Sequence, residues 1–171
     1  MERLARLGVL ALLMSLVAAC GAPVRTEFTP FHDLPDSLAG KTFFIEPAEA
    51  SLAWATHANQ LAAGFEAKGL RRVTMQAAAD YGVIFTYEGE RPRTWSRDGA
   101  DVSFDFRMTV VLIDLRRSKA RNETVRSYEA TVYSTGRRSD INEVVPYMIR
   151  ATFADWPGAN GRSQRRLFNV Y

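Results

Sequence analysis

Apolar residues recur along this chain with two different periods, and the change of period marks out its elements. Between Val102 and Leu115, Phe104, Phe106, Met108, Val110 and Leu112 alternate onto one face, the period of a strand with a buried side. The other face begins polar with Ser103, Asp105 and Arg107 and turns apolar at Val111, Ile113 and Leu115, so that end is expected to be covered on both sides. KTFFIEP (41–47), stopped by Pro47, and YGVIFTY (81–87) are short strands. Phe28–Phe31, Arg71–Met75 and Glu123–Tyr133 complete the strand pattern, the last with Tyr128, Ala130 and Val132 on one face.

Helical spacing replaces alternation twice. Trp54, Ala58, Leu61, Ala62 and Phe65 form one stripe within Ser51–Gly69, and Gly69 is a natural C-cap. Val144, Val145, Met148, Ile149 and Phe153 form another over Ile141–Asp155. Asp140 and Glu143 stand at capping-box spacing there, and Pro146 fits the first turn of a helix that starts near Asn142. LPDSLAG (34–40), EGERPRTWSRDGAD (88–101) and the basic RRSKARN (116–122) are expected as loops, the last as a hairpin turn. The tail NGRSQRRLFNVY is expected to add a last short strand. The order predicts an α+β fold: a two-layer sandwich of a mostly antiparallel sheet with two helices packed on one face.

The first residues follow neither period. Arg3 and Arg6 precede the apolar run Leu7–Val17, then Ala18, Ala19, Cys20 and Gly21, the order of a secretory signal peptide. The run is shorter than the ~20 residues that span a bilayer. Val17-Ala18-Ala19-Cys20 resembles the lipobox of bacterial lipoproteins; the alternative is an ordinary signal peptide with a chance cysteine at the cut. The lipobox implies diacylglycerol on the Cys20 thiol, cleavage just before it and an N-acyl chain on the new amino group. Residues 1–19 are then a leader, 20–27 a lipidated tether and 28–171 a single globular domain. Gly21, in place of the Asp that retains such proteins at the inner membrane, implies the periplasmic face of the outer membrane of a Gram-negative bacterium.

Composition changes this picture little. The mature chain, about 150 residues, is the size of one domain. Net charge is +3 overall and +2 without Arg3, Arg6 and Glu2, too small to point to nucleic acid as a partner. With Cys20, the single cysteine, lipidated, stability must come from packing alone.

A resemblance extends over nearly the whole mature chain. AGKTFFIEP (39–47), LAAGFEAKGLRRV (61–73), ADYGVIFTY (79–87) and VVPYMIRATFADWPGANG (144–161) resemble the small envelope lipoproteins grouped as domain-of-unknown-function-4136. The resemblance implies location and fold and brings no activity. The order of lipobox, strand, helix, KGLRRV, strand pair and C-terminal helix is also similar to the lipoprotein that plugs the outer-membrane lipopolysaccharide translocon.

Candidate chemistry is sparse. His32 stands at a strand end and His57 on a helix among Ala and Asn, and no hydrolase elbow, phosphate loop or metal-spaced cluster accompanies them. No catalytic residue, metal or cofactor beyond the Cys20 lipid is therefore expected. Two basic segments are candidate surface contacts: Arg91, Arg93, Trp95 and Arg97 at one end of the meander, and Arg116, Arg117, Lys119 and Arg121 at the other. A tryptophan among arginines could meet lipid headgroups, anionic sugars or a partner protein. The competing reading is that Trp95 folds back and Glu88, Glu90, Asp98, Asp101 and Asp140 neutralise the arginines. The expectation is a non-enzymatic, membrane-anchored accessory or scaffold lipoprotein with an envelope protein partner; the alternative is an auxiliary that handles lipid or lipopolysaccharide and binds anionic lipid.

Overall fold

The computed structural model describes residues 23–89, 92–94 and 102–169. Strands β1 (Val24–His32), β2 (Thr42–Ile45), β3 (Arg71–Arg72), β4 (Tyr81–Gly89), β6 (Val102–Asp114), β7 (Arg126–Gly136) and β8 (Gln164–Phe168) lie in the order β3-β2-β4-β6-β7-β1-β8. The two-residue β5 (Arg93–Thr94) pairs with β6 off this path. β2 runs parallel to β3 and β4, and every other pairing is antiparallel. Helix α1 (Leu52–Ala67) provides the crossover that parallel strands require.

Helices α1 and α3 (Ile141–Ala154) cover one face of the sheet, so the α+β two-layer reading holds. Ser51 accepts the Trp54 amide at 3.0 Å to start α1, whose stripe Trp54, Ala58, Leu61, Ala62 and Phe65 is buried as expected. Phe65 packs on Phe43 below it and edge-on to Phe153 and Trp156 of the other helical segment. Gly64 lets the two helices approach closely, because a Cβ there would run into the Phe153 ring.

Several details differ from the sequence reading. β1 begins at Val24, so residues 24–27, expected in the tether, are strand: Val24 and Thr26 are buried and Arg25 is exposed. RRSKARN is a third helix, α2 (Leu115–Arg121), with Asp114 accepting the Arg117 amide at 2.8 Å and Asn122 closing it in the left-handed conformation. The expected strand at 71–75 shrinks to β3. Helix α3 starts at Ile141, which puts Pro146 in its second turn; Asp140 caps the Asn142 amide, and Glu143 pairs with Arg138 at 2.6 Å instead of closing a capping box.

Candidate functional site

Described arginines of the two basic segments meet carboxylates in different ways. Arg93 lies in β5, where its Nε sits 2.7 Å from the Asp105 carboxylate. Asp105 is buried on the face of β6 away from the helices, beneath this arginine. The pair anchors β5 onto β6 and commits Arg93 to the fold. Arg91, Trp95 and Arg97 lie outside the described residues, as does Cys20.

At the opposite end α2 carries the second group. Arg117 meets Asp33 at 2.9 Å, Arg116 lies 3.8 Å from Asp80 and Arg121 lies 3.7 Å from Glu123. Lys119 is exposed. Asp33, Lys41, Asp80, Asp114, Arg116 and Arg117 surround a cavity of about 450 Å³ that Tyr81 also lines. Three carboxylates face three cations there, so the cavity is electrically balanced.

The carboxylates in it hold the fold. Thr42 donates its backbone N–H and its hydroxyl to Asp80 at 2.9 and 3.0 Å, joining β2 to the turn before β4. The amide bond from Thr42 is the main reason the Asp80 carboxyl is held below its ordinary range; burial opposes it, and the Thr42 hydroxyl, Lys41 and Arg116 reinforce it. Burial, with the negative charges of Asp114 and Asp80, pushes the Tyr81 phenol up. Asp114 is the cap of α2 and Asp33 the partner of Arg117.

Both histidines are structural in their contacts. His57 is buried between α1, α3 and β4, with Nε2 3.3 Å from the Asn142 amide oxygen and its ring edge-on to Tyr87. His32 donates from Nε2 to the Gly158 carbonyl at 3.1 Å, while Asn160 exchanges hydrogen bonds with the His32 backbone. Among the described residues no group of His, Cys, Asp and Glu could hold a metal ion. Tyr128 stacks on Trp156 in the core, and burial pushes its phenol far up.

The sequence reading did not single out a third surface. On the face of the sheet away from the helices, Arg25, Tyr133, Arg165 and Leu167 line a groove of about 420 Å³ at the β1–β8 edge. The alternation Val24-Arg25-Thr26-Glu27-Phe28 marks this stretch as strand once it is not assigned to a tether.

No family model matches the chain, and no curated protein does. Among solved structures it is similar to a PDZ domain protein from Parabacteroides distasonis, with a TM-score of 0.55 and 10% identity over 84% of this chain. The chain spans 39% of the length of that protein, and the likeness is one of fold alone. It also superposes on PelC dodecamer subunits from Paraburkholderia phytofirmans in two crystal forms, with TM-scores of 0.44 and 0.45 and identities of 25% and 24%. Those superpositions cover 72% of this chain and 92% and 94% of the PelC chains.

Proposed function

We propose that this chain is a lipid-anchored, non-enzymatic accessory protein of the bacterial envelope, working through protein contacts at the periplasmic face of the outer membrane. The observation that carries the reading is the Val17-Ala18-Ala19-Cys20 sequence behind its apolar run, only four residues ahead of β1. At ~3.3–3.6 Å per extended residue, Val24 can stand no more than about 14 Å from an acylated Cys20. Such an anchor presents the domain at the membrane surface with almost no freedom to reach into the periplasm. The site chemistry supports a scaffold: His32, His57, Asp33, Asp80 and Asp114 each bond to or cap a neighbouring part of the fold.

The lipid-handling alternative would have to use the surface, because Phe28, Phe43, Phe65, Phe85 and Met148 fill the layer between sheet and helices. Intact mass spectrometry of the full-length protein from its own membranes tests the anchor. The expected result is a chain beginning at Cys20 with three acyl chains, lost in a Cys20→Ser variant that leaves the membrane fraction. An unmodified Cys20 overturns the reading. Cross-linking in those membranes before solubilisation tests the scaffold role, with a stoichiometric envelope protein expected.

A further inference from the structure

The edge of the sheet where the chain enters carries exposed side chains that pair across strands in a definite order. Arg25 on β1 stands opposite Leu167 on β8, and Glu27 stands opposite both Arg165 on β8 and Tyr133 on β7. Leu167 is 63% exposed and Tyr133 45% exposed, both on the face away from α1 and α3. Arg165 bonds Glu27 at 2.9 Å, whereas Arg25 forms no ion pair with a described residue. An exposed leucine beside an unpaired arginine and a tyrosine is the make-up of an interfacial contact: apolar groups enter the acyl boundary while the guanidinium meets phosphate.

The chain itself says where a bilayer would be. Arg25 follows Val24, the first residue of β1, and Leu167 is its cross-strand neighbour. An acyl group on Cys20 would therefore lie within about 18 Å of Arg25 at ~3.6 Å per residue. Of the two faces of the sheet at this edge, the helix side is closed by Phe168 packed on Tyr147 and Arg150, and the other presents Leu167.

We infer that the open face at the β1–β8 edge, through Arg25, Tyr133, Arg165 and Leu167, lies on the phospholipid headgroup layer of the membrane that holds the Cys20 lipid. The inference rests on the anchoring reading and adds an orientation to it: the sheet leans onto the bilayer by this edge, and the helical layer faces away.

The test uses the full-length lipoprotein in vesicles of phosphatidylethanolamine and phosphatidylglycerol carrying a nitroxide on the headgroup. A fluorophore is attached through Thr135→Cys, which lines the same groove, or through Gln60→Cys on the exposed side of α1. Quenching several-fold stronger at position 135 than at position 60 is expected. Most of that difference should be lost in Arg25→Glu combined with Leu167→Asp, with the protein still in the vesicle fraction. Equal, weak quenching at both positions in membrane-bound protein overturns the orientation and leaves the anchor intact. Cross-links between copies through position 135 would give this face to a second copy and also overturn it. A second labelled thiol and an unmodified mass at Cys20 would remove the anchor, and the docking with it.

Discussion

Two neighbouring rows of the same sheet show how sharply its faces differ. Phe85, Val110, Ala130 and Pro30 stand side by side across β4, β6, β7 and β1, and all are buried beneath the helices. One residue along each strand, Thr86, Thr109, Thr131 and Thr29 form the next row on the open face. By intrinsic preference the second row suits a pleated strand better, since threonine is β-branched whereas alanine and proline are poor strand formers. What separates them is whether a second layer takes the side chains out of water. The register is specified by the first row alone, because a slip by one residue would exchange the two.

The comparison breaks most visibly at adjacent positions of β4. Phe85→Ala empties the space beside Trp54 and Tyr87 and is expected to cost about 3–5 kcal/mol in urea unfolding. Asp80→Ala leaves the Thr42 amide without its charged acceptor and should cost ~1.5–3 kcal/mol. Because the native Asp80 carboxyl titrates below its unfolded range, its contribution is complete above the unfolded value and is lost as pH falls through the native one. The variant should therefore show a shallower loss of stability under acid than the wild type, measured by unfolding at several pH values. Gly64→Val drives a branched side chain into Phe153 and is expected to cost about 1–3 kcal/mol, read as a lower thermal midpoint. Thr86→Val, one residue from Phe85 on the open face, should stay within ~0.5 kcal/mol of wild type. A Thr86→Val cost as large as that of Phe85→Ala would mean that the open face is packed against something.

Much of this contrast was legible in the sequence. The alternation of β6 and the helical stripes of α1 and α3 place the buried face correctly, because burial imposes the period. The apolar turn at Val111 and Ile113 also reads correctly: Val111 is buried, and Leu115 at the start of α2 closes over Gly82. Helix α2 escaped because RRSKARN has no apolar stripe; its signals were the Asp114 cap and a run of good helix formers. The start of β1 escaped because a tether was expected there. Of the candidate site residues, Arg93, Arg116 and Arg117 find partners at Asp105, Asp80 and Asp33. Those pairings belong to tertiary structure, and one sequence carries no signal of which acid meets which arginine.

The position of β1 between β7 and β8 has a consequence for the order in which the fold can be completed. Thr29 bonds Ser163, 134 residues away, and among the described strands β1 pairs with β7 and β8. β1, made before the other described strands, is thus among the last of them to find its neighbours. The entropic cost of closing a loop grows only slowly with its length, but so long a loop delays every contact that depends on it. The β2–α1–β4 unit can assemble as it emerges, while Val24, Phe28 and Pro30 stay in water until β7 and β8 arrive on either side of β1. A chain cut short before Gln164 would keep most of its core residues and still leave one side of β1 unpaired.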